Sequence, residues 1–456
     1  MPSPRTLLTL ALAATAAVLP GCLGCEGDED GRTGVAPPPE RPAQVNVSAD
    51  LGAAETVASM SGLLHGVAGP APPESAVEPL RPQVWRSIPP RVPYARAAEV
   101  GARYQLVLSD LWGYPPTGWE GRGPPWRDLA AWERLVRTTA RSMRGRRVEW
   151  DVWNEPDNPA FFTGTREQFL RLYEVAARAL VDELGEGAVI GGPSTARARP
   201  EWLVGLLRHC RRAGCRVGFL SFHENLDPDQ PIPPIQDHVR AARELIARYP
   251  DLSLGRVQVN ESVGPADQYR PGEILGYLHH MEAGGADAAV RSCWPAVDGA
   301  DQCSNGTLDG LLTPDGQPRT AWWAYRLYAE GVGTRVRATS SSETVAVLAS
   351  RRSVAGAAQV LLARHDRAPD GSPSLSVEVT LRGLRPALGG ARHAIVSIQQ
   401  LTDTGERAVA APPVVVRRRI AVEDGDLTLR VPSLGLHQAL AVRIFAPGRR
   451  AQSPAA

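Results

Sequence analysis

Residues 148–156 read VEWDVWNEP, a short strand-like run that stops at Asn154, Glu155 and Pro156. Residues 256–262 read RVQVNES and have the same form, with Asn260 and Glu261 at the end of an apolar run. Short apolar runs separated by longer stretches of helical spacing indicate βαβ units and a parallel sheet. Both runs therefore predict a buried parallel strand that carries a glutamate at its carboxyl end.

Six further runs of this kind bring the number of predicted strands to eight. In chain order the eight runs are 61–66, 83–87, 104–110, 148–154, 188–193, 217–223, 256–261 and 288–294. The stretches between the later runs have helical spacing; Thr165 and Gln168 form a capping box before one of them, and a last helix is expected near 321–330. Eight strands that alternate with helices over about 280 residues predict a (β/α)8 TIM barrel. An open doubly wound sheet is the alternative, but no Gly-rich phosphate turn follows an early strand.

After Gly333 the pattern changes to an alternation of apolar and polar residues. Residues 375–381 and 427–431 show it most clearly, and Gly- and Pro-containing turns separate the runs. This period of two predicts a C-terminal antiparallel β-sandwich. We therefore expect an α/β protein with a catalytic barrel over residues 45–333, an accessory sandwich over 334–448 and a disordered tail over 449–456.

The N-terminus has the form of a targeting segment. Arg5 precedes an apolar stretch of 13 residues, 7–19, which is too short to cross a bilayer but suits a signal peptide. The stretch ends in Leu-Pro-Gly-Cys22, which resembles the lipobox of bacterial lipoproteins, with Cys25 as a second candidate. Residues 1–22 are thus predicted to be a lipoprotein signal peptide and 23–44 a flexible linker, so that an exported cell-envelope lipoprotein would reach the membrane through its lipid anchor alone.

The other four cysteines form two pairs that are close in sequence. An exported chain meets oxidising conditions, so disulfides Cys210–Cys215 and Cys293–Cys303 are expected. A zinc site is the alternative interpretation, but neither of these two pairs has the Cys-x-x-Cys spacing and they lie far apart in the sequence.

Composition excludes several classes of function. The net charge is +1, so a concentrated basic face for nucleic acid is not expected. All 50 basic residues are arginine, which excludes chemistry that needs a lysine amine, such as a Schiff base. We predict no cofactor and no metal.

Glu155 and Glu261 supply the chemistry that this fold can use. The carboxyl ends of barrel strands face the active site, and the fourth and seventh strands lie across the barrel from each other. Two carboxyls about 5 to 5.5 Å apart can act as nucleophile and as acid/base on one sugar. The acid must start protonated, so we expect an apolar or anionic setting that raises its pKa. Trp150 and Trp153 are candidates for an apolar part of that setting.

The motif Asn154-Glu155-Pro156 on strand four resembles the acid/base motif of clan A glycoside hydrolases. The ending Asn260-Glu261, and a barrel followed by a β-sandwich, are most similar to family 39, the β-xylosidases and α-L-iduronidases. The resemblance covers roughly residues 45–447. It implies that Glu155 is the acid/base, that Glu261 is the nucleophile and that Asn154 binds the sugar 2-hydroxyl.

The same resemblance and the strand ends give a set of candidate substrate-binding residues. It contains the residue that would orient the nucleophile, the ends of strands one, six and eight, and an aromatic of the loop after strand three: Arg86, His65, His223, Trp294 and Trp112. Tyr114 and Trp119 lie in that same loop. The clan often has a tyrosine just after strand six, where this chain has Glu224 and Asn225. Glu224 is interpreted as a solvated rim residue, although it competes for the role of a third carboxylate.

The sequence therefore predicts a retaining glycoside hydrolase that cleaves O-glycosidic bonds of an oligo- or polysaccharide. The alternative is a surface lipoprotein that binds carbohydrate without cutting it. The presence of both carboxylates favours the enzyme.

Overall fold

The computed structural model describes residues 44–89, 91–113, 123–351, 357–422 and 425–448. Several predictions fall outside these residues and stay predictions: the signal peptide over 1–22, the linker over 23–43, the tail over 449–456, the lipidation of Cys22 or Cys25, and the roles of Tyr114 and Trp119. Within the described part of the chain, no helix combines the length and apolar character that a membrane span needs.

Seventeen strands are found in the described residues. They are β1 (Gln44–Ala54), β2 (Gly62–Leu63), β3 (Val84–Ser87), β4 (Arg103–Val107), β5 (Val148–Asp151), β6 (Val189–Thr195), β7 (Phe219–Glu224), β8 (Arg256–Ser262), β9 (Ala288–Arg291), β10 (Arg335–Ser340), β11 (Val345–Arg351), β12 (Ala357–Arg364), β13 (Ser376–Arg382), β14 (His393–Leu401), β15 (Val414–Ala421), β16 (Leu427–Arg430) and β17 (Ala439–Phe445).

Ten α-helices connect or flank these strands. They are α1 (Glu74–Val77), α2 (Tyr94–Glu99), α3 (Leu108–Trp112), α4 (Leu129–Ser142), α5 (Arg166–Leu184), α6 (Pro200–Ala213), α7 (Pro234–Ala247), α8 (Pro271–Gly284), α9 (Thr320–Gly331) and α10 (Leu384–Ala387). The predicted capping box is present at the start of α5, where the Thr165 hydroxyl accepts from the Gln168 amide and the Gln168 side chain accepts from the Thr165 amide.

Strands β2 to β9 form the predicted barrel. They pair in chain order and all pairings are parallel. Gly62 in β2 lies against the carbonyl of Ala289 in β9, and a Cβ at this position would come within 2.2 Å of that oxygen. The missing side chain thus lets the first and last strands approach each other. The eight predicted strands correspond one to one to β2–β9.

The inside of the barrel is lined by polar side chains in layers. In the lower layer, Gln105 donates to Gln258 over 2.6 Å and Gln258 donates to Glu149 over 2.9 Å. Because strand side chains alternate, Asp151 and Asn260 point inward one layer higher. The outward side chains of β5 and the residues after it pack in the apolar core, where Trp150 and Trp153 are almost fully buried. Trp153 lies 5.8 Å from Trp132 of α4, so these tryptophans pack against the helices and form no part of the site.

The accessory domain is one nine-stranded, mostly antiparallel sheet with the order β15-β14-β17-β12-β11-β10-β1-β13-β16. Buried side chains from both ends of this order, such as Val396 and Val379, belong to one hydrophobic cluster. The sheet therefore folds over on itself like a sandwich. Both short disulfides, Cys210–Cys215 and Cys293–Cys303, are formed as predicted.

The predicted barrel boundary at residue 45 is wrong. Strand β1 pairs antiparallel with β10 and parallel with β13, so it belongs to the accessory sheet. The reason is its alternation, which buries Val45, Val47, Ala49 and Leu51 on one face. The chain thus enters the accessory sheet first, builds the barrel, and returns to the sheet at β10.

Candidate active site

Glu155 lies just beyond β5, at the carboxyl end of the barrel, in an unusual backbone conformation. Its φ is +47°, in the left-handed region that non-glycine residues rarely adopt. The amide of Glu155 donates to the carbonyl of Ser194, near the end of β6, over 2.8 Å, which fixes this turn. Strained residues of this kind cluster at functional sites, where surrounding contacts hold them in place.

Glu261 lies at the end of β8 and faces Glu155 across the barrel. A carboxylate oxygen of Glu155, a ring nitrogen of His223 and a carboxylate oxygen of Glu261 all lie within 4.8 Å of one another. Val263, two residues after Glu261, has a φ of +74°, which is unfavourable for a β-branched residue. The two glutamates are therefore brought together at the same mouth of the barrel, at a spacing close to that of retaining glycosidases.

Arg86 on β3 connects the two sides of this site. Its guanidinium donates to Glu261 over 2.9 Å, to Asp151 over 2.9 Å and to Asn154 over 2.8 Å. Burial alone would lower the pKa of Arg86, but the charges of Asp151 and Glu261 outweigh it and raise that pKa. Arg86 is thus a fixed cation that holds the nucleophile candidate and the asparagine of the Asn-Glu pair.

A buried network below the glutamates supports Arg86. Asp151 is fully buried and accepts from Arg86, from the Ser194 hydroxyl over 2.9 Å and from Asn260 over 3.1 Å. Arg86 occupies the side-chain oxygen of Asn154, so the amide nitrogen of Asn154 is the group left to meet a ligand. Asp151, Ser194 and Asn260 were not predicted as site residues. The inward alternation of Asp151 with Glu149 on β5 was the available signal.

His223 at the end of β7 forms a hydrogen bond with Glu155. Its Nδ1 lies 2.9 Å from Glu155 Oε1 and 3.9 Å from Glu261 Oε2. Burial lowers the pKa of His223, but the charges of Glu261 and Glu155 outweigh it and raise the pKa. The hydrogen bond between Nδ1 of His223 and Oε1 of Glu155 therefore favours the protonated form of the imidazole.

The expected rise in the pKa of Glu155 is not found. Burial raises the pKa of Glu155, but the hydrogen bond and charge of His223, helped by Asn158 at 2.7 Å, leave it below its usual value. The setting of Glu155 is cationic, where the sequence analysis expected an apolar or anionic one. Glu155 and His223 therefore form one hydrogen-bonded pair whose charges raise the pKa of the imidazole and lower that of the carboxyl.

Asn225 supplies a second donor to Glu261. Its amide nitrogen donates to Glu261 Oε2 over 3.2 Å, and its oxygen accepts from the hydroxyl of Ser292 over 2.5 Å. Asn225 stands where the clan often has a tyrosine. With Arg86 on the other oxygen, both oxygens of Glu261 accept hydrogen bonds, which suits a carboxylate that reacts as a nucleophile.

His65 lies at the end of the first barrel strand and joins the site through an arginine. Its Nδ1 is 2.8 Å from the Ser87 hydroxyl and its Nε2 is 3.2 Å from Nη1 of Arg91. Burial, followed by the charges of Arg91 and Arg86, lowers the pKa of His65 to about 3. The ring is therefore neutral, accepts from Arg91 at Nε2 and donates to Ser87 at Nδ1.

The two tryptophan candidates, Trp294 and Trp112, differ in how far their rings are exposed. The indole nitrogen of Trp294 donates to the carbonyl of Val263 over 2.8 Å, which holds this half-buried ring against the segment that follows Glu261. Trp112 is 5% exposed and packs edge-on against Trp132 in the core. Trp112 therefore offers little exposed ring surface to a sugar, because it packs against the core.

The description of Glu224 as a solvated rim residue is wrong. Glu224 is 2% exposed and accepts from Nδ1 of His238 on α7 over 2.8 Å. Neighbouring residues on a strand face opposite sides, so Glu224 points to the helices while His223 points into the barrel. Glu224 therefore has no part in the site.

In the described part of the chain, the residues that could bind a metal ion are the same residues that form the hydrogen bonds of the site. Among the described residues, the group of three potential ligands within 4.8 Å is Glu155, His223 and Glu261. Hydrogen bonds between His223 and Glu155 and from Arg86 to Glu261 already occupy these groups. The arrangement is that of two carboxyls placed for acid/base and nucleophilic chemistry on one bound molecule.

Comparisons with known proteins agree with this geometry. Residues 116–274 match the family model of glycosyl hydrolases family 39. A search of curated protein sequences finds no significant match.

Solved structures that share the fold include the following three. N2152 from Neocallimastix frontalis has a TM-score of 0.71 at 18% identity and covers 88% of this chain and 99% of its own. The family 39 enzyme from Xanthomonas axonopodis pv. citri has a TM-score of 0.66 at 16% identity, with 91% and 100% covered. A monomeric β-xylosidase from Caulobacter crescentus has a TM-score of 0.63 at 17% identity, with 88% and 100% covered.

The barrel with its facing glutamates defines the protein as a glycosidase. The match over residues 116–274 is to family 39, the family whose resemblance the two Asn-Glu motifs predicted, and that resemblance is confirmed. The predicted fold class, a TIM barrel with an accessory antiparallel sheet, is confirmed by the same structures.

Proposed function

We propose that this glycosidase cuts its substrate by double displacement, with Glu261 as the nucleophile and Glu155 as the acid/base. The observation that carries the proposal is the approach of the Glu155 and Glu261 oxygens to within 4.8 Å across the barrel mouth. Retaining enzymes hold their carboxyls about 5 to 5.5 Å apart, whereas inverting enzymes hold theirs about 6.5 to 9.5 Å apart. The donors to each carboxylate then assign the two roles.

In the first step, Glu261 attacks the anomeric carbon. A new bond forms between a Glu261 oxygen and this carbon while the glycosidic carbon–oxygen bond breaks, and the leaving oxygen takes a proton from Glu155. Glu155 obtains that proton from Nδ1 of His223, 2.9 Å away. Arg86 and Asn225 hold Glu261 in place for the attack, one on each oxygen.

In the second step, water replaces the leaving group. Glu155 takes a proton from the water, whose oxygen bonds to the anomeric carbon while the ester bond to Glu261 breaks. The proton returns to the pair of Glu155 and His223, so the site is restored. Two inversions at one carbon give a product with the configuration of the substrate.

Azide separates the two roles. Glu155→Ala keeps the nucleophile, so activated aryl glycosides still form the ester intermediate, which then persists because no base activates water. Azide needs no base, so it should restore turnover of this variant and give a glycosyl azide of retained configuration. Poor leaving groups should lose about 10²–10⁴-fold at the first step.

Glu261→Ala should be inactive with every leaving group when azide is absent, and any glycosyl azide that it forms from an activated glycoside should have inverted configuration, because azide then attacks the anomeric carbon in a single displacement. Glu224→Gln is a matched control, because it changes a buried glutamate that also bonds to a histidine but lies outside the site. Identical responses of Glu155→Ala and Glu261→Ala to azide would contradict the assignment of roles.

We also propose that the substrate is an oligo- or polysaccharide and that the enzyme is an envelope lipoprotein anchored through Cys22. The lipobox-like ending of the signal peptide supports the anchor. Cys22→Ser should move the protein from the membrane fraction to the soluble fraction and leave its activity unchanged. Release by Cys25→Ser alone would move the anchor to Cys25, and retention of both variants in the membrane would overturn the lipobox interpretation.

A further inference from the structure

Asp110 adjoins the site through Ser109, whose hydroxyl accepts from the amide of Asn154 over 3.1 Å, and Asp110 takes no part in the chemistry described so far. It belongs to the short helix α3, which begins directly after β4, the third barrel strand. Its side chain accepts from the Ser109 hydroxyl over 3.2 Å and is partly exposed. Burial raises the pKa of Asp110, while the charges of Arg86 and Arg91 act against that rise and the charge of Glu261 adds to it. The charges of Asp110 and Glu261 therefore interact with each other.

Arg91 is the cation that complements Asp110. Its side chain is half-buried, and among the described residues no carboxylate lies within ion-pair distance of it. Its Nη1 donates to the neutral ring of His65, which the Ser87 hydroxyl holds from the other side. The remaining guanidinium hydrogens are available to a ligand, and half-buried guanidinium groups normally have such partners.

His65 has a fixed orientation because of the loop after β9. Its amide and that of Leu64 both donate to the buried carboxylate of Asp309, over 3.2 and 3.0 Å. The position of Arg91 follows from this arrangement. The ends of the first three barrel strands therefore carry a carboxylate acceptor and a guanidinium donor at the same mouth of the barrel as Glu155 and Glu261.

We propose that Asp110 and Arg91, oriented by His65, are specificity-determining residues that bind two neighbouring hydroxyls of a neutral sugar and exclude uronic acids. The inference rests on the proposed function, since it concerns the sugar whose bond Glu155 and Glu261 cut. A carboxylate accepts from hydroxyls and a guanidinium donates to them, so the pair suits a vicinal diol.

The charges of the site argue against a sugar carboxylate. Four carboxyls, those of Asp110, Asp151, Glu155 and Glu261, face three cationic groups, and Arg86 is already committed to Asp151 and Glu261. His223 is committed to Glu155. A uronate would therefore place another negative charge beside Asp110 with Arg91 as its one uncommitted cation in the described part of the site. The negative charge of Asp110 would therefore oppose the binding of a sugar carboxylate.

The test is a substrate-by-variant cycle. Wild type is assayed on 4-nitrophenyl glycosides of neutral hexoses and pentoses and on 4-nitrophenyl glucuronide. The best neutral glycoside is then compared with its 3-deoxy and 4-deoxy forms on wild type, Asp110→Ala and Asp110→Asn. A hydrogen bond to a charged group corresponds to about 10- to 100-fold in kcat/KM, so one deoxy form should lose that much on wild type.

The expected result is that Asp110→Ala and the deoxy form each cause this loss, while their combination causes no further loss. Asp229→Ala, which removes an exposed aspartate, should behave as wild type, and thermal unfolding of the Asp110 variants controls for folding. Two results would overturn the inference and leave the two-glutamate mechanism intact. One is that the loss caused by Asp110→Ala multiplies with the loss caused by each deoxy form. The other is hydrolysis of the glucuronide at the rate of the neutral glycosides. A wild type inactive on every glycoside would overturn the proposed function and this inference together.

Discussion

Replacing His223 should change the pH dependence of the enzyme more than its fold. In the proposed mechanism, Glu155 and His223 share the proton that Glu155 delivers, because the hydrogen bond and the charges between them raise the pKa of His223 and lower that of Glu155. His223→Ala removes the hydrogen bond and the positive charge that lower the pKa of Glu155. Burial, which raises that pKa, remains. The proton of the free enzyme then resides on Glu155 itself.

The expected shift of the pH profile follows from the ordinary pKa values of His223 and Glu155. In the wild type, the proton is lost only above the raised pKa of His223, whose ordinary value is 6.5. In the variant it is lost from a carboxyl whose ordinary pKa is 4.5, raised by burial. Since the two ordinary values differ by about two units and burial recovers part of that, the alkaline limb of kcat/KM should move down by about one pH unit.

The assay is the pH profile of kcat/KM on a glycoside with a poor leaving group, for which proton delivery limits the first step. His223→Asn, which keeps a hydrogen-bond donor but cannot titrate, should show the same downward shift. His238→Ala is the matched control, because His238 also bonds to a glutamate over 2.8 Å and has a raised pKa, but lies outside the barrel. An alkaline limb that stays in place in both His223 variants would refute the shared proton.

Two further predictions concern the supports of the site. Arg86→Met leaves Asp151 buried without its cation and should lower the free energy of unfolding by about 3–5 kcal/mol in urea titrations. Arg197→Met is the control, because it removes an exposed ion pair with Asp227 and should lower that free energy by about 0–1 kcal/mol. Equal losses in the two variants would contradict the role of Arg86. Replacing Cys293 and Cys303 by serine should cost about 2–3 kcal/mol and also lower kcat/KM, because the bridge holds the segment beside Trp294. Serine at Cys210 and Cys215 should cost a similar amount with kcat/KM unchanged, since that bridge closes the end of α6; a fall in both pairs would show that the effect is general.

The barrel and its two glutamates could be predicted because they depend on local patterns. Each barrel strand is a buried apolar run, and Glu155 and Glu261 end their runs at the same face of a parallel sheet. The assignment of β1 failed because the short-range alternation of residues 44–54 shows that a strand exists but not which sheet it joins. The pairing partners lie about 290 residues away in the chain.

The electrostatics of the site could not be predicted, since they depend on contacts between distant strands. The pKa of Glu155 is lowered by His223, which lies 68 residues later in the chain. Glu224 likewise forms its hydrogen bond with His238, on the following helix. Trp112 was open to two interpretations because an aromatic residue in a long loop can either face solvent or pack beneath the loop. Asn225 carries no motif of its own, and the alternation of Asp151 with Glu149 shows that Asp151 points inward but not that it contacts Arg86.

The most direct test of the two-glutamate mechanism is the covalent intermediate on Glu261. An activated 2-deoxy-2-fluoro glycoside of the best neutral sugar should inactivate the enzyme, because the fluorine slows the second step more than the first. Mass mapping of the digested protein should then find one added fluorosugar on the peptide that contains Glu261, and Glu261→Ala should take up none. An enzyme that turns over normal substrate but carries no sugar on Glu261, and whose first product has inverted configuration, would contradict the account.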